Sequence, residues 1–325
     1  MHPAFSVIFL TTLIGAGQGL FLALFTVESY AAFGLLPAQP DSFYACGSIV
    51  AMVLLGLGLF ASFFHLGHPE RAWRAATQWR TSWLSREVIV LPAFMGTAFL
   101  YGLAHWTGFN PQLGQLPSGA PINLTAILGS LGTLLAFALF ICTAMIYASL
   151  RFLREWHTPL TVINYTLLGG ASGFTLSTLV ASQRAHDVVG FLAGWATILT
   201  VLAFVGRLAS LIRNCKLKPK STLQSAIGIK HPKIAQKTQG AMGGSFNTRE
   251  FFHGQSRRVL RSVKWFFVLT VFAVPLPLLG ASLNHESAGL LALAFCIQYV
   301  GLLAERWFFF AQANHPQNLY YQSVA

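Results

Sequence analysis

Charge is what this sequence has least of. Only 9% of its 325 residues are Asp, Glu, Lys or Arg, against roughly 25% in soluble domains. Acidic residues are the scarcest, 9 in the whole chain. So thin a polar shell excludes a water-soluble enzyme core, and 54% hydrophobic residues exclude a disordered chain. Cysteine is sparse as well. Cys46, Cys142, Cys215 and Cys296 form no CxxC pair and no Cys/His spacing suited to zinc or an iron–sulfur cluster. That excludes a disulfide scaffold and leaves the chain without cluster ligands of its own. A basic leader is also lacking, because Met1-His2-Pro3 runs straight into an apolar segment too long for a signal h-region.

What is present is long apolar runs. A helix needs about 20 apolar residues to cross the hydrocarbon layer. Eight segments qualify: Phe5–Phe25, Phe43–Phe64, Val88–Trp106, Ile122–Tyr147, Leu160–Ala181, Val188–Ile212, Val263–Leu283 and Ala288–Phe310. Pro92 in the third and Pro275 and Pro277 in the seventh predict kinks there. The reading is an all-α polytopic membrane protein, an eight-transmembrane-helix bundle forming a single integral membrane domain over residues 1–325.

The net charge of +12 then acquires a direction. Arg71, Arg74, Arg80 and Arg86 follow span 2, Arg151 and Arg154 follow span 4, thirteen Lys and Arg lie between Arg207 and Lys264, and Arg306 ends span 8. Only Arg184 lies on the other side, a division of 20 to 1. The positive-inside rule places the rich side, with both termini, in the cytoplasm. The protein is thus expected in the bacterial cytoplasmic (inner) membrane. The loop 214–261 between spans 6 and 7 is polar and basic, with Lys216, Lys218, Lys220, Lys230, Lys233, Lys237, Gly240–Ser245, Arg257, Arg258 and Arg261. Such a run lies against anionic membrane lipid or docks a soluble partner. It lacks the aromatic interleaving of a nucleic-acid surface.

Gly15-xxx-Gly19 and Gly169-xxx-Gly173 are small-residue pairs that let helix backbones approach closely. No duplicated broken helices and few mid-membrane charges are found, which argues against a transporter.

The chemistry concentrates in FFHLGHPERAWRAATQWRTSWLSRE, residues 63–87, joining spans 2 and 3. His65 closes one span and Glu87 opens the next, with four arginines and Trp73, Trp79 and Trp83 between them. Reducing a quinone takes up two protons with two electrons. A histidine titrating near neutrality and a partly buried carboxylate suit that exchange. The bland alternatives are an interfacial His65 bonded to a carbonyl, and a Glu87 held by the helix dipole and paired to Arg86 or Arg71. Glu305-Arg306 reads as an ion pair holding the bundle. Gln18, Asn164 and Tyr165 read as helix–helix hydrogen-bonding groups, and Arg184–Asp187 as the one charged cluster on the opposite face. Haem b on His65 and His157 is possible but disfavoured, since His105 and His285 lie at the far side.

The opening MHPAFSVIFLTTLIGAGQGLFLALF, the segment FFHLGHPERAWRA with Ser85-Arg86-Glu87 after it, and the ending AERWFFFAQANHPQNLYYQ resemble the membrane-anchor subunit of dimethyl sulfoxide reductase-type molybdoenzymes over essentially the whole chain. The resemblance implies an anchor that carries no iron–sulfur or molybdenum group itself. It would pair with an iron–sulfur subunit of several clusters and a molybdopterin catalytic subunit. The family's quinol-site histidine and glutamate fall on His65 and Glu87, with Arg71, Trp83 and Arg86 in support. In the dimethyl sulfoxide reductase the soluble subunits face the periplasm on the side of the anchor's termini, whereas here that side is the basic one. The branch with this arrangement is the cytoplasmic quinone-linked sulfite dehydrogenase, whose anchor the chain resembles most. Sulfite would be oxidised to sulfate and electrons passed to ubiquinone or menaquinone. The rivals are a quinol-oxidising anchor of a sulfoxide or tetrathionate reductase, and a structural tether without a quinone site.

Overall fold

The computed structural model describes residues 1–115, 117, 119, 121–218, 222–234, 251–285 and 287–316, with backbone alone at 284 and 285. Of the features singled out above, Lys220, Lys237, Gly240–Ser245, the His285 side chain and the last part of the C-terminal motif lie outside the described residues.

The apolar runs become long helices: α1 (Phe5–Ala32), α2 (Asp41–Ser62), α3 (Trp83–Thr107), α4 (Leu124–Ala148), α5 (Pro159–Arg184), α6 (Val189–Cys215), α7 (Arg257–Val268), α8 (Pro275–His285) and α9 (Ala288–Ala311). At 1.5 Å per residue, 25 residues reach about 37 Å, enough for the hydrocarbon layer. Among the described residues seven segments are long and apolar enough to cross a membrane, with α7 and α8 counting together as Arg257–Leu283. The small departure from an all-helical chain is an antiparallel hairpin, Gln112–Gln115 with Pro121–Asn123, between α3 and α4.

The fifth expected span differs from the others. It lies in α5, which has the length of a span but is not among the seven apolar ones. Its middle reads Gly169-Gly-Ala-Ser-Gly-Phe-Thr-Leu-Ser-Thr178, and every one of those residues is buried. The helix occupies the interior of the bundle, against α1, α6 and α9, so it needs no lipid-facing surface. Its hydroxyls cost little there because they bond their own helix. Ser172 donates to the Gly169 carbonyl at 3.0 Å and Thr175 to the Ala171 carbonyl at 2.9 Å.

Both glycine pairs meet at the α1–α5 crossing. A Cβ on Gly19 would stand 2.2 Å from the Gly169 carbonyl oxygen, and one on Gly173 would stand 2.1 Å from the Gly19 carbonyl carbon. Only glycine permits so close a backbone approach. Gln18, on the same stretch of α1, donates to the Ala136 carbonyl of α4 at 2.9 Å.

The prolines act differently from each other. Pro92 lies inside α3 without ending it. Before Pro275 the chain makes a π turn, Leu269–Ala273, with the Val274 N–H bonding the Leu269 carbonyl at 2.9 Å. Widening the coil there accommodates the N–H that Pro275 lacks and the ring clash it brings. Gly301 of α9 fits against this turn, since a Cβ there would be 2.9 Å from the Val271 nitrogen.

The amino terminus meets the segment that follows α9. The Met1 amino group donates to the Ala313 carbonyl at 2.8 Å. Burial pulls that amine down to about 6, with the Glu155 carboxylate opposing part of the shift. The α4–α5 connection is held at this same end. Arg213 donates to the Arg154 carbonyl at 3.0 Å, and Trp156 donates to the Phe309 carbonyl at 2.9 Å.

Candidate functional site

The loop after α2 is built of 3-10 turns, Phe63–His65 and Pro69–Gln78. His65 ends the first of these and is exposed, with Phe63 and Phe64 exposed beside it. That first turn touches α1. Arg71 is exposed and lies 3.7 Å from Glu70, which His68 also approaches at 3.0 Å. Trp73 and Trp79 stay exposed, each beneath its neighbouring arginine.

The loop's exit is held by Arg86. Its Nε donates to the Trp79 carbonyl at 2.9 Å and its Nη2 to the Arg80 carbonyl at 2.8 Å, while its guanidinium lies 4.2 Å from the centre of the Trp83 ring. Arg86 and Trp83 therefore fold the loop onto the head of α3. Ser82 caps that helix by accepting from the Ser85 N–H at 3.3 Å. The cap starts α3 five residues earlier than the apolar pattern indicated, so Glu87 lies a turn inside the helix rather than at its mouth.

Glu87 turns inward. It is 8% exposed, and the Thr143 hydroxyl of α4 donates to its Oε1 at 2.5 Å. The carboxyl forms part of the wall of a narrow internal cavity of 20 Å³, room for about one water molecule. Gln18, Thr143, Tyr165, Ser172 and Arg306 contribute further polar wall, and Gly15 and Gly169 of the α1–α5 crossing close it. His65, Arg71, Trp83 and Arg86 do not line this cavity. Instead of facing each other across one pocket, His65 stands on the exposed loop and Glu87 points into the bundle. α1 connects the two, since it touches the His65 turn and also walls the cavity through Leu10, Thr11 and Ile14.

Close to Glu87 lies a charge network of which only the pair at its end was expected. Glu305 is 1% exposed, and its nearer partner is Arg207 of α6, with Nε 2.8 Å from Oε1. Arg306, its sequence neighbour, is 3.9 Å away and lies instead over the Tyr165 ring, 3.6 Å from the centre. Arg207 (2% exposed) and Arg306 (4% exposed) look by position like membrane-edge charges, but both are inside the bundle. Asn164 donates to the Ser210 hydroxyl at 2.7 Å, a helix–helix bond as expected.

The far end holds a second buried polar group that no motif announced. Tyr101 donates to Glu28 Oε2 at 2.6 Å and Thr125 to Glu28 Oε1 at 2.5 Å. His105 lies over Tyr44 and its Nδ1 is 2.7 Å from Asp41 Oδ1. These residues tie α1, α2, α3 and α4 together. The spacing of Tyr101 and His105, one turn apart on α3, was the available signal. His157, the other histidine of the haem alternative, has its Nδ1 2.6 Å from the Ala148 carbonyl.

The chain is 58% identical, over the full length of both proteins, to a sulfite dehydrogenase subunit of Allochromatium vinosum. A family model described as "DMSO reductase anchor subunit (DmsC)" matches residues 1–311, and the chain belongs to that anchor-subunit family.

Proposed function

We propose that this chain is the membrane anchor and quinone-reducing subunit of a cytoplasmic molybdenum/iron–sulfur sulfite dehydrogenase. Sulfite would be oxidised to sulfate on a molybdopterin subunit, and electrons would cross an iron–sulfur subunit of several clusters to quinone held by this chain. The name of the 58% identical relative supports the substrate. The 20 basic residues on the side of both termini support a cytoplasmic docking face and an eight-span bundle with α5 at its centre.

The observation that carries the quinone role is Glu87. It is a carboxyl group more than nine-tenths buried, hydrogen-bonded by Thr143, on an internal cavity with a partly polar wall, one helical turn from the aromatic and basic loop. An ionisable group placed this way at membrane depth is a functional-site residue by default. The cavity takes about one water, so the quinone ring stays outside it. His65 meets the head group from the exposed loop, while Glu87 supplies a proton from the bundle side. Arg71 adds positive charge at the loop, and Arg86 with Trp83 holds the loop against α3. Ubiquinone and menaquinone both fit this chemistry, because each gains two electrons and two protons at its ring oxygens.

The family's description names a reductase, which favours one second reading: the same site oxidising quinol for a sulfoxide or tetrathionate reductase. Isolation of the intact complex from membranes decides between them. Sulfite should reduce its clusters, and added quinone should reoxidise them. Clusters that are reduced by quinol and reoxidised by dimethyl sulfoxide, with no response to sulfite, would overturn the proposal.

A further inference from the structure

The Glu87 cavity is not isolated. A second internal cavity is lined by Glu155, Asn164, Arg207, Asn214 and Glu305, and it shares Tyr165 and Arg306 with the first as a common wall. Glu155 and Asn214 are half-exposed at the end of the molecule where Met1 meets Ala313, so the second cavity leads toward that surface. Between the surface and Glu87 stand three charged side chains, each more than nine-tenths buried. Glu305 Oε2, Arg207 Nη2 and Asn164 Oδ1 are fully buried and have no hydrogen-bond partner among the described residues.

A mechanical brace explains this poorly. Arg207, Arg306 and Glu305 bring three charged side chains inside an apolar bundle, where apolar residues of similar volume commonly hold helices together at least as well. Buried polar atoms left without partners along a cavity wall are, by contrast, what a chain of proton-exchanging groups and water requires.

We propose that protons reach Glu87 from the surface at Met1 and Glu155 through these two cavities, with Glu305 as the relay carboxylate and the Tyr165 hydroxyl as the gate between them. The inference rests on the quinone reading above. For each quinone reduced, two electrons arrive from the one-electron carriers of the partner subunit, and an O–H bond forms at each ring oxygen. One proton comes from His65 at the exposed loop and the other from Glu87; the one given up by Glu87 is replaced through Tyr165, whose hydroxyl passes one on as it receives one from the Glu305 side, and Glu305 is refilled from the mouth at Glu155. Arg207 and Arg306 are positioning residues: Arg207 Nε holds Glu305 Oε1 at 2.8 Å, and Arg306 lies over the Tyr165 ring.

The test uses the intact complex in liposomes, with decylubiquinone as acceptor and ferricyanide, which takes electrons without protons, as control. Tyr165→Phe keeps the ring over Arg306 and removes only the hydroxyl, and Glu305→Gln keeps the shape of the side chain. Both should keep ferricyanide activity and the KM for decylubiquinone, lower kcat at least tenfold, and enlarge the solvent deuterium isotope effect. Wild-type kcat and isotope effect in both variants would overturn the route, as would a change confined to KM. If Glu305→Gln fails to assemble, Tyr165→Phe decides alone. Failure of the quinone reading itself looks different, because wild-type complex would then not reduce decylubiquinone.

Discussion

Replacing Gly173 by alanine puts a methyl carbon where the structure has the backbone of another helix. The new Cβ would stand 2.1 Å from the Gly19 carbonyl carbon and 2.2 Å from the Leu20 nitrogen. Non-bonded carbons rest at about 3.5–4.0 Å, so α1 and α5 must separate by roughly 1.4 Å. Neither obstacle is a side chain, and no rotamer change relieves the contact. Overpacking of this kind costs about 1–3 kcal/mol, against which the better helix propensity of alanine returns about 0.5–1 kcal/mol. Gly170, on the same helix, is the control, since a Cβ there meets only Leu199 Cδ1 at 3.6 Å, an ordinary contact. Gly170→Ala should be neutral or slightly stabilising, while Gly173→Ala should lose about 1–2 kcal/mol net. Denaturant unfolding of the purified chain in detergent, followed by tryptophan fluorescence, measures both. Equal stability of the two variants would refute the account of the α1–α5 crossing.

Two further substitutions test the buried polar groups. Gln18→Leu removes the bond to the Ala136 carbonyl and should cost about 0.6 kcal/mol, at most about 1.7, in the same unfolding measurement. Tyr101→Phe deletes a donor to the Glu28 carboxylate and should cost about 1.5–3 kcal/mol. It should leave quinone turnover by the assembled complex unchanged, because it acts at the end of the bundle opposite His65 and Glu87.

The helices were legible because a long apolar run in a chain this poor in charge has few other outcomes. Close helix approach at the two glycine pairs was also legible, since small-xxx-small spacing has one common use, but that the pairs of α1 and α5 meet each other was not. α5 itself reads only weakly. Hydropathy registers Ser172, Thr175, Ser177 and Thr178 as polar, although bonded back to their own helix and enclosed by neighbours they behave as filler. The site divides in the same way. Chain proximity drew attention to Glu87 and to its loop, yet it could not say that Glu87 would turn toward Thr143 while His65 stayed outside. That depends on Ser82 capping α3 and so setting the helix phase at Glu87. Arg207 was hidden because a basic residue near a span's end normally belongs to the loop. Its partner, Glu305, is 98 residues further along the sequence, and no local pattern links them. The Glu28 cluster is drawn from four helices, and its one local trace was the turn spacing of Tyr101 and His105 on α3.

The central claim is that quinone exchanges protons and electrons at the His65 loop and Glu87. The most direct measurement is sulfite-driven quinone reduction by complexes carrying His65→Ala or Glu87→Gln, each assembled with its partners and active with ferricyanide. Loss of proton transfer at a positioned acid or base lowers turnover by about a hundredfold or more, so the account predicts near-abolition with quinone and retention with ferricyanide. Normal quinone turnover in both variants would contradict it.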